Sequence, residues 1–407
     1  MKTLFKIAWR NIWRNKRRTL ITVASIMFAL FFAIIMRGFG KGSYAKMKQN
    51  AIEAYSGYLQ IQKKGYWDDK NINNSFTIDS ELLDQFEARS EVKNLIPRLE
   101  SFSLASSGEA TKGAVIMGID PERENKMSGI ANYLSEGEYL SENDGSVLLA
   151  QDLASFLRIN VGDTLVLFSS GYHGATAAGL YPVRGIINLP TPEMNRTFIY
   201  MTVGAAQNLF SAPDRFTAMA FNLEGMNDVE HVVKEVSGQI DPERYTVMSW
   251  QAMNKELLQM IETDNAGGVI MIGILYMVIA FGIFGTVLMM TNERIREFSV
   301  MVSVGMQRSR LAMVVVLELL LLTTLGVLGG ILISLPVMIY FLYNPIQLTG
   351  DWVEVMKDFN FEPVMPMSME FDIFVMQAIA ITILSVIAMS YPTIKIMKLN
   401  VVEGLRS

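Results

Sequence analysis

Long apolar runs separated by polar stretches are the dominant pattern of this 407-residue chain. A helix that crosses the hydrocarbon core of a bilayer needs about 20 mostly apolar residues. Four segments meet this requirement, and Glu318 is the only ionisable residue within their apolar cores. We therefore predict four transmembrane helices, called spans one to four, at residues 19–36, 267–290, 311–342 and 371–392.

Lysines and arginines concentrate on one side of these spans. The segments before span one, between spans two and three, and after span four are basic, whereas residues 343–370 are acidic. Because basic residues beside a span remain in the cytoplasm, we expect both termini and residues 291–310 there. The basic residues are Lys2, Lys6, Arg10, Arg14, Lys16, Arg17, Arg18, Arg294, Arg296, Arg308, Arg310, Lys395, Lys398 and Arg406, and the acidic ones are Asp351, Glu354, Asp358, Glu362 and Glu370.

Residues 1–18 predict an amphipathic helix that leads into span one. Phe5, Ala8, Trp9 and Ile12 share one helical face, and basic side chains occupy another. A basic helix with tryptophans suits the cytoplasmic surface of a membrane. Its span follows at once and has a longer apolar run than a signal-peptide core. We therefore expect a retained anchor that does not bind nucleic acid.

The stretch between spans one and two, residues 37–266, has an ordinary water-soluble composition and predicts an extracytoplasmic α/β domain. Strand–helix–strand patterns occur at residues 55–62, 79–90 and 92–106, with a further strand at 111–120, and again at 215–225, 227–240 and 244–250. Two such units separated by an insertion indicate a split βαβ core. The insertion, about residues 121–212, has a mainly β pattern, with a mobile loop or hairpin tip at 169–179.

The predicted fold class is an α+β membrane protein, with four transmembrane helices and this large domain between the first two. Helical patterns at the edges of the domain extend spans one and two outward as stalks. Residues 343–370 are expected to form a short extracytoplasmic loop, and residues 393–407 a cytoplasmic tail.

Composition limits the chemistry of the chain. Charged residues make up 18% of it, against about 25% in an ordinary soluble domain. The absence of cysteine and the presence of only two histidines, His173 and His231, give no basis for a metal site. Residues 38–43, GFGKGS, do not fit the spacing of a phosphate-binding loop. No catalytic constellation is found, and we expect no metal ion or cofactor on this chain.

Two features inside the spans have open interpretations. Acidic residues within a membrane often mark functional sites, but Glu318 could equally pair with a basic residue of a neighbouring helix. Small residues allow helices to approach closely. Those in question are Gly282, Gly285, Gly326, Gly329 and Gly330, and we expect them to serve packing.

The stretch TNERIREFSVMVSVGMQRSR, residues 291–310, places a compact charged segment between two long spans. Within it, Ile295, Phe298, Met301 and Val302 fall on one face of a predicted helix over 293–305, which Gly305 ends. Such a helix either lies in the membrane interface as a connector or docks on a soluble partner. Physical chemistry alone leaves both roles open.

This stretch resembles the signature of the FtsX-like, or MacB-type, ABC transporter permeases, roughly T-E-R-x-R-E-I-x-V-L-R-A-x-G-A. Asn292 and Ser303 depart from that pattern. The tail YPTIKIMKLNVVEGLR resembles the family's ending, with Asn400 and Gly404 in place of its usual Pro and Ala. The start KIAWRNIWRNKRRTLIT is also similar to the family's start, so the resemblance covers the chain in order.

The resemblance implies that residues 291–310 form a coupling helix seated in a groove of a separate cytoplasmic ATPase. The family pairs two permease subunits, identical or different, with an ATPase dimer that binds ATP and magnesium. Closure of the ATPases would then move the stalks and the outer domain. The implied coupling residues are Glu293, Arg294, Ile295, Arg296, Glu297, Phe298, Val302, Gly305 and Met306.

Residues 147–168 and the following YPVRGIIN are similar to permeases of the lipoprotein-releasing branch. This resemblance implies a bacterial inner-membrane protein that passes lipoproteins to a periplasmic carrier. Export of peptides or drugs and regulation of cell-wall hydrolases are the alternatives. In the first case we expect the outer halves of spans one and two to form a cargo entrance, lined by Phe28, Phe31, Phe32, Met36, Val269, Ile270 and Ile274.

Overall fold

The structure is a computed structural model that describes residues 2–14, 16–358 and 363–401. Part of the predicted tail, including Gly404 and Arg406, and the acidic Glu362 lie outside the described residues. The chain divides into two compact units. The membrane unit comprises Met1–Ala45, Ile261–Gln347 and Val364–Ser407, and the outer unit comprises Lys46–Met260 and Leu348–Pro363.

The helices and strands are numbered in chain order. The helices are α1 Lys2–Arg14, α2 Lys16–Ala51, α3 Ser80–Glu87, α4 Pro121–Ser128, α5 Gln151–Leu157, α6 Pro192–Thr197, α7 Val203–Leu209, α8 Val229–Ser237, α9 Trp250–Met253, α10 Lys255–Glu293, α11 Ile295–Ser303, α12 Arg308–Tyr343, α13 Asp351–Asp358 and α14 Phe371–Met397. The strands are β1 Leu59–Lys63, β2 Val92–Ser106, β3 Thr111–Ile119, β4 Leu134–Gly137, β5 Val147–Ala150, β6 Thr164–Ser170, β7 Thr176–Ile187, β8 Phe198–Thr202, β9 Ala218–Leu223, β10 Tyr245–Ser249, β11 Ile346–Gln347 and β12 Val364–Met365.

Four helices, α2, α10, α12 and α14, are long and apolar enough to cross a membrane. They carry the four predicted spans in order. Helix α2 continues to Ala51, and a π-helical turn follows at Ile52–Ser56. Helix α10 begins at Lys255, before the apolar run of span two. The predicted outward extension of spans one and two is therefore confirmed.

The predicted apolar face of helix α1 is partly buried in the protein and partly exposed. Ala8 and Ile12 are buried, and Ile12 joins the apolar core of the membrane unit. Phe5 and Trp9 are about half exposed. Their exposure fits a helix that lies along a membrane surface with its aromatic rings in the lipid interface.

Span three packs against span one through two of its glycines. A Cβ atom on Gly326 would lie 2.6 Å from Cβ of Ile26, and one on Gly330 would lie 2.9 Å from Cβ of Leu30. Distances this short exclude any side chain. In contrast, Cβ atoms on Gly282 and Gly285 would meet nothing within 4 Å. The packing role is thus specific to the glycines of span three.

We predict that Gly326→Ala destabilises the membrane unit, because the added methyl group forces Ile26 and the two helices apart. Overpacking of this kind costs about 1–3 kcal/mol. The midpoint of thermal unfolding in detergent, followed by tryptophan fluorescence, should fall. Gly282→Ala adds the same methyl group where space is open and serves as the matched control. Equal midpoints for both variants would show that the two helices do not pack here.

The described strands β1–β10 form one ten-stranded sheet, and its antiparallel end, in the order β10–β1–β9–β2, is the core of the outer unit. Helices α3 and α8 cover one face, where Phe86 and Val232 pack among strand residues such as Phe221. Each helix connects two strands, β1 to β2 and β9 to β10, and the two units interleave in the sheet. This arrangement confirms the predicted split βαβ core.

The insertion into this core differs from its predicted form. It is mixed rather than mainly β, because the fully described residues 121–212 hold strands β4–β8 and helices α4–α7. It also begins earlier than residue 121, since the second half of β2 leaves the core and pairs with β3 and β6. The start of helix α4 could have been predicted from its N-cap residue, Asp120. The Asp120 side chain accepts hydrogen bonds from the backbone N–H groups of Glu122 and Arg123.

Residues 169–179 form a hairpin tip, one of the two predicted alternatives. Strands β6 and β7 pair up to Ser170 and Thr176, so the turn itself is short. Its backbone is anchored: the N–H of Tyr172 donates to the carbonyl of Phe210 over 2.8 Å, and the N–H of His173 to Oδ1 of Asn73 over 2.7 Å. These bonds hold the tip against the outer unit, so the structure does not support a mobile loop.

The predicted loop at residues 343–370 contains regular structure. Strands β11 and β12 form a small hairpin, and helix α13 lies between them in the chain. Residues Leu348–Pro363 group with the outer unit, which therefore includes this segment as well as the stretch between spans one and two.

Candidate functional site

The charged stretch between spans two and three forms a short helix flanked by breaks. Helix α10 ends at Glu293, α11 covers Ile295–Ser303, and α12 begins at Arg308. Gly305 has a φ of +104°, a conformation that favours glycine, and its N–H donates to the carbonyl of Val302. The predicted helix and its glycine stop are present, with the helix shorter than 293–305.

Two residues of this stretch point into the membrane unit. The side chain of Arg294 is 5% exposed, and Phe298 is buried. The Arg294 guanidinium lies 5.2 Å from the centre of the Phe298 ring, within cation–π range. Both residues therefore hold α11 to its own chain, and neither presents a docking surface to a separate protein in this conformation.

Glu318 is the partner of Arg294. The Nη1 atom of Arg294 donates to both carboxylate oxygens of Glu318, over 2.9 and 2.7 Å, and the Glu318 side chain is fully buried. Of the two interpretations of this intramembrane acid, the structure places it in the ion pair. Removing one member of a buried pair costs about 3–5 kcal/mol. The pair thus joins residues 291–310, here called the coupling stretch after the role that the resemblance implies, firmly to span three.

A second ion pair attaches α1 to α11. Nη2 of Arg14 donates to Oε2 of Glu297 over 2.5 Å, and Nε of Arg294 lies 3.3 Å from the same oxygen. Partial burial acts to raise the pKa of Glu297, but the bonds and charges of the two arginines outweigh it, so the pKa lies below its ordinary value. The link is lost only as pH falls through this lowered pKa. Sequence patterns could not have selected Arg14 among the neighbouring basic residues.

The nine implied coupling residues divide by exposure. Three of the nine, Ile295, Val302 and Met306, are half-buried against the apolar core of the membrane unit, and Arg294 and Phe298 are buried. Glu293, Arg296, Glu297 and Gly305 are exposed. Two valines outside the implied set, Val300 and Val304, are 46% and 83% exposed. The outward surface at α11 therefore consists of Arg296, Val300 and Val304 together with Glu293 and Glu297.

The residues of the expected cargo entrance lie on two helices and are mostly exposed. Phe28 and Phe32 on span one and Val269, Ile270 and Ile274 on span two are each more than half exposed. The remaining two, Phe31 and Met36, are half-buried. Val269 also lines a cavity, together with Arg37 of α2.

Two family models match the chain. Residues 19–239 match the MacB-like periplasmic core domain, and residues 269–401 match the FtsX-like permease C-terminal domain. The second match contains the coupling stretch, α11 and the Arg294–Glu318 pair. The first match covers span one and most of the outer unit, and the second covers the last three spans.

Individual relatives are distant but extend over most of the chain. The lipoprotein-releasing system transmembrane protein LolC of Xylella fastidiosa is 22% identical over 325 residues, 77% of this chain and 78% of that protein. The corresponding protein LolE of Haemophilus influenzae is 20% identical and covers 100% of both chains. The crystal structure of the periplasmic region of MacB from Actinobacillus actinomycetemcomitans covers 50% of this chain and 93% of its own, with 13% identity and a TM-score of 0.36.

Proposed function

The chain belongs to the family of MacB-type ABC transporter permeases with an FtsX-like C-terminal domain. We propose that it passes the movement of an ATPase partner to its outer unit and so drives the release of lipoproteins. As a permease subunit of this family it associates with an ABC ATPase and a membrane. The finer assignment, extraction of lipoproteins from the inner membrane, is supported by similarity to LolE along the whole chain.

The buried Arg294–Glu318 pair is the observation that carries the coupling proposal. A helix that transmits force must be attached to the spans more firmly than to its surroundings. Here α11 is attached to span three by that pair and to α1 by the Arg14–Glu297 pair. If a groove of the ATPase holds the exposed side of α11, then α11 and span three move together when the ATPase moves. ATP and magnesium would bind to the ATPase partner.

The location and orientation follow from the spans and their charges. Four apolar helices and the similarity to LolC and LolE indicate an inner-membrane protein. We propose that both termini and α11 are cytoplasmic, because the flanking segments of these ends are basic. The outer unit then lies in the periplasm, where it meets a lipoprotein carrier, and a second permease subunit, identical or related, completes the transporter.

We propose that cargo enters beside the outer halves of spans one and two. The exposed apolar side chains at Phe28, Phe32 and Ile274 are suited to contact with acyl chains. Such exposure fits a surface that faces lipid, which entry from the bilayer requires.

Photo-crosslinking tests the cargo assignment. A photoreactive amino acid at Phe28, Phe32 or Ile274 should capture an acylated protein in cells while the transporter is turning over. Leu332 of span three, which is 71% exposed, provides a lipid-facing control position that should capture none. Capture of acylated proteins at Leu332 to the same extent, or at no position, would argue against lipoprotein cargo. Capture of unacylated peptides would favour an exporter.

A further inference from the structure

The membrane unit contains a groove that has Val269 in common with the expected cargo entrance but none of the positions Phe28, Phe32 and Ile274. It has a volume of about 380 Å³ and lies among spans one, two and four. Arg37 and Lys41 of α2, just beyond span one, and Asp372 of span four lie at one end. The rest of the lining is largely apolar and comes from spans two and four. These residues include Val269, Ile272, Gly273, Met376 and Ala380.

Helix geometry places this groove in one leaflet. At a rise of about 1.5 Å per residue, Arg37 lies about 27 Å along α2 from Thr19, near the far boundary of a hydrocarbon core of about 30 Å. From Asp372 to Ala380, α14 descends about 12 Å, which is most of one leaflet. The groove therefore runs from headgroup level into the acyl region, on the side where the outer unit joins spans one and two.

Arg37 provides the charge at the headgroup end. Its Nη1 donates to the amide oxygen of Asn265 over 2.9 Å, and no carboxylate of the described residues lies within ion-pair distance of its guanidinium. The guanidinium is half-buried. A planar guanidinium that is fixed by an amide and faces an apolar groove is well suited to bind a phosphate.

The charges around Arg37 favour a lipid without net charge. Lys41 donates to Glu370 over 2.8 Å and also to Asp372, which are 56% and 54% exposed and keep outward-facing oxygens. A third acid, Asp264, precedes Asn265 in the chain and accepts a hydrogen bond from Tyr44. Two cations thus stand beside three carboxylates, so an anionic headgroup would meet repulsion, whereas an ammonium group would find acceptors.

We propose that this groove binds one zwitterionic phospholipid, with its phosphate on Arg37, its ammonium group toward Glu370 and Asp372, and an acyl chain along Val269 and Met376. The phosphate distinguishes this ligand from the diacylglyceryl anchor of a lipoprotein, which has none. The site does not depend on an ATPase or on cargo. It is a property of the membrane unit of a single chain.

Native mass spectrometry of the delipidated full-length protein, titrated with phosphatidylethanolamine, tests the site. We expect one tightly held lipid in the unaltered protein and an affinity at least tenfold lower in Arg37→Gln. Arg310→Gln, which removes an exposed arginine at the other end of the spans, should retain the unaltered affinity. Equal affinity in Arg37→Gln and the unaltered protein would overturn the proposal.

A pair of glycine variants tests the groove without touching its charges. Gly273 lines the groove and Gly282 lies further along α10, and a Cβ atom at either position would meet nothing within 4 Å. Gly273→Leu should therefore fold and displace the lipid, whereas Gly282→Leu should bind it normally. Binding of lipid by Gly273→Leu at unaltered affinity would contradict the site. So would tighter binding of phosphatidylglycerol, or of a diacylglycerol without phosphate, by the unaltered protein.

Discussion

Glu318→Leu in span three is expected to lower the thermal midpoint of the purified protein more than substitution of any exposed residue in the coupling stretch. The variant leaves the Arg294 guanidinium buried without this carboxylate, at a cost of about 3–5 kcal/mol. Replacing both members with apolar residues of similar volume is often neutral or stabilising. The double variant Arg294→Leu, Glu318→Leu should therefore reverse at least half of the decrease in the thermal midpoint.

The double variant also separates stability from transmission. With the ion pair gone, α11 is held by apolar contacts and no longer fixed in direction to span three. In a transporter assembled with the double variant, cargo should therefore not stimulate ATP hydrolysis, even though the thermal midpoint has recovered. Glu262→Leu removes an exposed glutamate of α10 and should change the midpoint little. A double variant that regains both stability and cargo-stimulated hydrolysis would show that the pair is only structural.

Arg296→Glu is expected to abolish binding of the ATPase without loss of stability. Arg296 is on the exposed side of α11, and a reversed charge at a polar docking surface places like charges together, which costs several kcal/mol. The amount of ATPase that co-purifies with the tagged chain should fall at least tenfold, with an unchanged thermal midpoint. Val304→Asp, on the same surface and 83% exposed, should give a similar loss.

The control for this experiment is Arg310→Glu, which reverses an exposed charge in the first turn of α12 rather than on α11. It should retain the ATPase. Loss of the ATPase in Arg310→Glu but not in Arg296→Glu would move the docking surface from α11 to the start of span three. Exchanging Arg296 with Glu297 is less informative, because Glu297 binds Arg14 and the exchange would also release α1.

Much of the fold could be predicted from local patterns. The four spans are long apolar runs, and the two βαβ units of the outer unit have clear alternation and helix signals. The helices of the insertion were harder to predict. Helix α5, for example, has only seven residues and lies between apolar strands. The buried positions Leu153, Ala154 and Leu157 have helical spacing, but the pattern covers less than two turns and lies within a longer apolar run.

The coupling stretch was located from the sequence, but the roles of its side chains were not. The sequence pattern predicted the same coupling role for Arg294 and Arg296, although Arg294 is buried and Arg296 is exposed. Only tertiary packing brings Glu318, 24 residues away, to Arg294. The same limit applies to Arg37, whose place in a three-helix groove depends on contacts between residues far apart in the chain.

The central claim is that this permease works with a separate ATPase to release lipoproteins. Purification of the tagged, full-length protein in mild detergent, with co-purifying proteins identified by mass spectrometry, tests it most directly. Our account predicts a cytoplasmic ABC ATPase and acylated lipoproteins with the unaltered chain, and loss of the ATPase with Arg296→Glu. Recovery of no ATPase under any condition would contradict the account, and an ATPase with an outer-membrane channel in place of lipoproteins would contradict its choice of cargo.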